Sequence, residues 1–271
     1  MKLLFSEASP DYKNYIFPYA VWAFPEPGET PADFFAAGFL PSSKNLDRFY
    51  LCRSLRVALK DFKPSSENRR ILRKGEGFQA ALVPRAKFDF TATRREFCLR
   101  YAAHKYGAEV MTPTRLEQVI SSPLTSHVLL FHHAAQDLEV GLATLFLQPP
   151  QLAQYYYAFY DLNYARQSLG MYMMTSAVQH FAAQGFAHLY LGSCYSANAL
   201  YKTQFAGMEF FNGACWSRDA AELKYLIARD ERPQAQHLFE DQEYLHRFHD
   251  GDLGRAVERS LFQVTARALW I

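Results

Sequence analysis

Along residues 91–217 the spacing of apolar positions changes from helical to strand-like and back. From 91 to 106, Phe97, Leu99, Tyr101 and Ala102 recur with helical spacing, and Gly107 closes the run. A short helix is predicted near 113–120. Three strand-like runs follow at 126–133, 138–147 and 154–161. From 168 to 184, Leu169, Tyr172, Met173, Val178 and Phe181 fall near one stripe of a helix that ends at Gly185. A strand at 187–191, a short helix at 197–203 and a strand at 207–216 complete this region.

Upstream, Thr30 is placed to cap a short helix that has Pro31 at its first position and ends near Gly38. Residues 48–59 alternate as a single strand. Pro64 opens a helix, PSSENRRILRK, that Gly75 stops, and FQAALV follows as a short strand. Residues 219–271 read mostly as helix. This order, with consecutive strands and only one clear strand–helix–strand unit, predicts an α+β or mixed-sheet plan. That unit, residues 154–191, is expected to be a right-handed parallel crossover.

Composition narrows the classes. Apolar residues form 49% of the 271 positions, enough for a substantial core, and Phe 23 and Tyr 17 suit packed sheet faces. A net charge of +2 makes any nucleic-acid signal a local one. No run reaches membrane-span length, and MKLLFSEASPDY turns polar too soon for a signal peptide. Cys52, Cys98, Cys194 and Cys215 are widely separated, against a zinc site or a disulfide scaffold. A reducing cytoplasm is therefore the expected compartment. Nothing in the pattern fixes an oligomeric state.

The candidate chemistry centres on Gly170, in the first turn of the predicted 168–184 helix. A helix start carries unpaired N–H groups and a positive dipole end, which suit a phosphate, carboxylate or carbonyl oxygen. A glycine there lets a ligand approach, or makes room for a neighbouring strand. Asp161 ends the preceding strand and is read as a group binding an amine, or as a cap or turn residue. Arg69, Arg70, Arg73 and Lys74 share one helix face, either a phosphate-contacting ridge or a solvated surface. His132 and His133 point to opposite strand faces, and His246 and His249 sit one helical turn apart on a surface helix; no metal is expected at either. Cys194 reads as a buried thiol rather than a nucleophile.

The segment Gln167-Ser168-Leu169-Gly170-Met171-Tyr172 resembles the Q/R-x-x-G-x-G/A loop of the acyl-CoA N-acyltransferase (GNAT) superfamily, with Tyr172 in place of the final small residue. That ring is expected to obstruct a coenzyme A pyrophosphate. Within the superfamily, the chain resembles the aminoacyl-tRNA–protein transferases, of arginyl and leucyl type. The likeness is carried by Tyr160, Asp161, Ser168, Leu169, Gly170 and Tyr172, and by Tyr190, Leu191, Gly192, Tyr201, Lys202 and Phe205. Further matches fall in DFFAAGF and at Cys52, Arg56, Val57, Phe62, Ser65, Arg69, Arg70 and Lys74, so that it runs from about 31 to 216.

The resemblance implies a GNAT-like mixed central sheet flanked by helices. It divides the chain into an N-terminal transferase-like subdomain (1–85), an acyltransferase domain (86–218) and a helical C-terminal extension (219–271). It implies catalytic roles for Asp161, Tyr201 and Lys202. Substrate binding would fall to Arg56, Tyr160, Ser168, Leu169, Gly170, Tyr172, Tyr190 and Gly192, and tRNA binding to Arg69, Arg70, Arg73 and Lys74. The partners implied are an aminoacyl-tRNA and an acceptor protein N-terminus, peptide or small amine, with no cofactor and no membrane. Only Cys52 stands where the family has several N-terminal cysteines, and Gln204 replaces an arginine near the Tyr-Lys pair. A coenzyme A-dependent N-acyltransferase and a non-catalytic tRNA- or peptide-binding protein of the same fold remain the alternatives.

Overall fold

A computed structural model of the protein describes residues 1–13, 16–232 and 236–262. The elements in chain order are β1 (Lys2–Glu7), β2 (Tyr19–Phe24), α1 (Pro31–Ala36), β3 (Phe39–Pro41), β4 (Phe49–Leu51), β5 (Ser54–Ala58) and α2 (Ser66–Lys74). Next come β6 (Phe78–Pro84), α3 (Ala92–Tyr106), α4 (Pro113–Ser121), β7 (His127–His133), β8 (Leu138–Gln148), β9 (Leu152–Tyr160), α5 (Leu169–Ala183) and β10 (His188–Ser193). The chain continues through β11 (Met208–Phe211), β12 (Trp216–Ser217), α6 (Ala220–Asp230), α7 (Gln242–His249) and α8 (Leu253–Glu258). The last part of the predicted helical tail, 263–271, lies outside the described residues.

Among the described residues the strands form an eight-stranded sheet, ordered β12-β11-β5-β10-β9-β8-β7-β6, and a four-stranded sheet, β1-β2-β4-β3. Strands β9 and β10 run parallel, joined by the crossover through α5, and the other strand pairs are antiparallel. This is the mixed central sheet flanked by helices that the sequence implies. Strands β5 and β6, from before residue 85, belong to the same large sheet as β7–β11.

Helix starts follow local chemistry. Ser65 Oγ accepts the Asn68 N–H at 3.1 Å, while Asn68 Oδ1 accepts the Ser65 N–H at 3.1 Å, a reciprocal cap for α2. Thr30 N–H donates to Asp33 Oδ2 at 2.7 Å ahead of α1, where Pro31 stands at the first position.

Two stretches read as single strands are broken. Residues 48–59 divide at Cys52–Arg53, so that β4 joins the small sheet and β5 the large one. The corner is pinned by the Arg53 N–H donating to Tyr195 Oη at 2.8 Å and the Cys194 N–H donating to Arg53 O at 2.9 Å. Residues 207–216 fold back as β11 and β12. Asn212 Oδ1 accepts the N–H groups of Ala214 and Cys215 at 3.0 and 2.9 Å, and Gly213 takes φ +105° between them. The β1–β2 hairpin in the aromatic, proline-rich start is an addition to the expected elements.

Helix α5 packs along one face of the large sheet with Leu169, Met173, Ala177, Val178 and Phe181 fully buried. A second cluster joins Cys98, Tyr101, Leu116 and Ile120 of α3 and α4 to Val128, Leu142 and Phe159 of the sheet. A third joins Phe34, Phe35 and Phe49 to Tyr190. The C-terminal helices are tied in by a buried carboxylate. Glu222 Oε1 accepts from Asn212 Nδ2 at 2.9 Å and from Tyr244 Oη at 2.6 Å, and its other oxygen accepts from Ser217 Oγ at 2.5 Å.

Candidate active site

The parallel strands part company. Leu152–Gln154 of β9 pair with His188–Tyr190 of β10, but beyond them β9 continues to Tyr160 bonded only to β8. Where they separate, a cleft of about 980 Å³ opens at the start of α5. Its floor is Tyr155–Ala158, Tyr160 and Leu191; Ser168–Met171 and Met174 of the α5 end form one side. Tyr101, Lys105 and Tyr106 of α3, Ala165, and Ser196 with Asn198, Ala199, Tyr201 and Lys202 of the 3₁₀ turn it precedes (Ala197–Thr203) complete the walls. No Asp or Glu is among these lining residues.

Helix α5 does not follow β9 directly. A 3₁₀ turn, Leu162–Gln167, intervenes, and Ser168 adopts φ 60°, ψ 38° before the helix proper. Asp161 caps that turn, its Oδ1 accepting the Asn163 N–H at 2.9 Å. The Tyr172 N–H donates to Ser168 O at 2.9 Å, so the amides of Leu169, Gly170 and Met171 are the first-turn donors at the cleft.

Lys202 brings the cationic group deepest into the wall. Its Nζ donates to Ser193 O at 3.1 Å. Burial lowers its pKa from the ordinary lysine value. Gly192 lies beside this ammonium and takes φ +81°, a conformation that favours glycine; a Cβ there would make only an ordinary contact with Nζ at 3.8 Å. Tyr201, on the same turn, is 49% exposed.

The structure thus brings Tyr160, Ser168, Leu169, Gly170, Tyr201 and Lys202 to one cleft, with Gly192 adjacent. Asp161 borders a second cavity of about 450 Å³ with Phe97, Arg100, His104, Leu162 and Asn163. Tyr101 and Tyr160 line both cavities, and their ring centroids are 4.7 Å apart, so this pair forms the partition. At Gly170, a Cβ would come within 2.7 Å of Tyr160 Cε1, which makes room for a strand residue the packing reason for this glycine.

Other expected site residues lie elsewhere. Tyr172 turns into the core, where its hydroxyl donates to Phe78 O at 2.8 Å and its ring packs near Phe78 and Phe131. It does not border the cleft, so the expected obstruction of a pyrophosphate by this ring does not arise. Arg56 and Tyr190 are also away from the cleft. Arg56 Nε donates to Glu209 at 2.8 Å, Nη1 donates to Tyr190 Oη at 3.1 Å, and its guanidinium lies 3.7 Å from the Trp216 ring centroid. Arg69, Arg70, Arg73 and Lys74 are exposed on α2 and line neither cavity. Arg70 pairs with Glu67, and Arg69 Nη1 donates to Pro64 O at 2.6 Å.

Cys194 is fully buried and burial raises its thiol pKa, as burial pushes Cys52 up to about 12. Among the described residues no cluster of three or more His, Cys, Asp or Glu is placed to hold a metal. None of the helices among the described residues is long and apolar enough to cross a membrane.

Sequence reasoning missed the residues that give the cleft its character: Tyr101, Lys105, Tyr106, the run Tyr155-Tyr156-Tyr157, Met171, Met174 and Asn198. The available signals were three consecutive tyrosines in a strand and the interleaved RYAAHKY at 100–106.

No protein-family model matches the chain. It is similar to curated proteins named aspartate/glutamate leucyltransferase. One from Ruegeria sp. (strain TM1040) is 28% identical over 179 residues, covering 61% of each chain. One from Granulibacter bethesdensis is 28% identical over 173 residues, covering 61% of this chain and 62% of the relative. A third, from Chromohalobacter salexigens, is 25% identical over 207 residues, covering 71% and 81%. The chain's match spans about three fifths of the length of the first two relatives. These relatives bear out the likeness to aminoacyl-tRNA–protein transferases read from the sequence. Among solved structures, FemX is 10% identical at a TM-score of 0.40, covering 60% of this chain and 59% of that one. L-PGS from Bacillus licheniformis is 12% identical at a TM-score of 0.38, covering 53% and 46%.

Proposed function

We propose that the protein is an aminoacyl-tRNA-dependent transferase, moving an amino acid from a charged tRNA to the amino group of a protein N-terminus, peptide or small acceptor. The observation that carries this reading is the open cleft between the parted strands, which holds the first-turn amides of α5 and the Lys202 ammonium together. The leucyltransferase names of its relatives support it.

The reaction asks mainly for placement. The donor ester is already activated, and the acceptor must be held as a neutral amine near the carbonyl. The amine lone pair forms the C–N bond, the C–O bond to the ribose breaks, the amine loses a proton and the ribose oxygen gains one. First-turn amides of α5 and the Lys202 ammonium are the donors suited to the developing oxyanion. The side chain of the transferred residue would meet Met171, Met174 and Leu191. With no carboxylate lining the cleft, an apolar side chain suits it better than an arginyl one. Asp161 faces the smaller cavity, across the Tyr101–Tyr160 partition from these donors, and is given no contact with the reacting amine; the relatives' name supports an acidic acceptor N-terminus.

A mixture of tRNAs charged with labelled amino acids, offered with peptides bearing Asp, Glu or Ala at the N-terminus, tests the proposal by mass shift. The expected product is an acidic-terminus peptide heavier by one apolar residue. Acetyl-CoA turnover without transfer from tRNA would establish the coenzyme A reading instead. That arm matters because Tyr172 leaves the helix start open. Binding of tRNA or peptide with neither reaction would establish a non-catalytic module.

A further inference from the structure

We infer that the single-stranded 3′ end of the donor RNA lies along the C-terminal half of α3, gripped by Arg100 and Lys105 and stacked against Tyr106, rather than along α2. The inference rests on the proposed function and locates the nucleic-acid contact of that site.

The cations of α3 divide into two sets. Arg94 is held by Glu139 at 2.7 Å, and Arg95 pairs with Glu117 at 2.5 Å. One to three turns further along, Arg100, His104 and Lys105 are exposed and none is in an ion pair with a carboxylate among the described residues. They border the two cavities: Arg100 and His104 the smaller, Lys105 the cleft itself. The cations of α2 border neither.

Aromatic rings alternate with these charges. Tyr101 forms the partition, with its ring centroid 6.3 Å from that of Tyr106. Tyr106 is 46% exposed at the end of α3, and Tyr201 is 49% exposed on another wall of the same cleft. Cations that track phosphates, interleaved with rings open to stacking, are the physical requirements for binding single-stranded nucleic acid. A base stacked on Tyr106 or Tyr201 would place the sugar it carries at the mouth of the cleft, where the acyl ester must enter. Asp161 stands on the far wall of the smaller cavity, so the phosphate path follows the α3 side.

Fluorescence anisotropy with labelled, uncharged tRNA at several salt concentrations tests this, using intact wild-type protein and two double variants. For Arg100→Ala/Lys105→Ala the expected result is at least a tenfold weaker affinity, with the log–log salt slope reduced by about 1.4 to 1.8, two phosphates' worth. Arg73→Ala/Lys74→Ala is expected to stay within about twofold of wild type. Tyr106→Ala should weaken binding while leaving the salt slope unchanged, and Tyr106→Phe should restore it. Circular dichroism and thermal unfolding verify that each variant is folded. If wild type binds and the α2 variant loses as much affinity as the α3 variant, or more, the inference is overturned while the proposed function stands. If wild type binds no tRNA, the proposed function fails first, and this inference with it.

Discussion

Gly170 and Tyr160 occupy one space: a methyl group on the helix residue would sit 2.7 Å from the ring of the strand residue. Tyr160 is also half of the partition between the two cavities. Helix start, strand end and cleft wall therefore depend on a single missing side chain.

Gly170→Ala should gain helix propensity of about 1 kcal/mol but lose about 1 to 3 kcal/mol to overpacking against Tyr160. Tyr160→Leu should relieve that clash. A double-mutant cycle in denaturant is expected to show a coupling of at least about 0.5 kcal/mol between the two sites. Simple additivity would mean that the ring and the helix start are not in contact. Transfer should fall in Gly170→Ala because the partition moves.

Tyr172→Phe separates core from cleft. Loss of the hydroxyl leaves the Phe78 carbonyl short of one donor, at a cost of about 1 to 2 kcal/mol in unfolding free energy. Transfer kinetics at a temperature well below the transition should stay within about twofold, under 0.5 kcal/mol. A large kinetic effect with unchanged stability would place this tyrosine at the substrate after all.

Lys202 sets a pH dependence. Its folded pKa lies below the unfolded value near 10.5, so the unfolded chain binds more protons within that window. Charging the buried group opposes folding below the folded pKa, and wild-type stability gains as pH rises toward 10.5. Lys202→Met removes this gain. The stability of Lys202→Met relative to wild type, from urea unfolding at a series of pH values, should therefore decline as pH rises through the window. A constant difference would mean that the ammonium is as well solvated folded as unfolded.

Arg56 and Glu209 form a partly buried pair completed by the exposed Arg218, whose Nη2 lies 2.7 Å from Glu209 Oε1. Burial opposes the Glu209 charge, but hydrogen bonds from Arg218 and Arg56 outweigh it and hold the carboxyl below its usual range. Its stabilising contribution is present above the unfolded value of 4.5 and is lost as pH falls through the folded pKa. Arg56→Met should cost about 1.5 to 3 kcal/mol, because Glu209 loses one charged donor while keeping Arg218. KM for either substrate should be unchanged in the folded fraction. A raised KM with intact stability would restore Arg56 to the substrate-binding role that sequence similarity implies.

The large elements were legible because period and punctuation agree in them: the stripe of α5 is real core, and Gly75, Gly107 and Gly185 stand at the helix ends. The division of β4 from β5 was not, because alternation continues across Cys52–Arg53 while the chain changes sheets. What breaks the strand is Tyr195 and Cys194, more than a hundred residues away. The same limit governs the cleft. Ser168, Gly170, Tyr201 and Lys202 were visible as short patterns, whereas Tyr101, Lys105 and Tyr106 belong to it only because α3 lies across β9. Arg56 and Tyr172 look equivalent to those residues in a pattern, yet one side chain points to the opposite sheet face and the other into the core.

The separation of β9 from β10 leaves the rim of Tyr155–Tyr160, paired with β8 on one side, without a strand on the other. Amide and carbonyl groups spaced at the repeat of an extended chain can then be met by another backbone, whatever side chains that backbone bears. An acceptor polypeptide laid there would be gripped by its main chain and measured in residues. Reach along the rim, and not only the identity of the first residue, would set how firmly it is held.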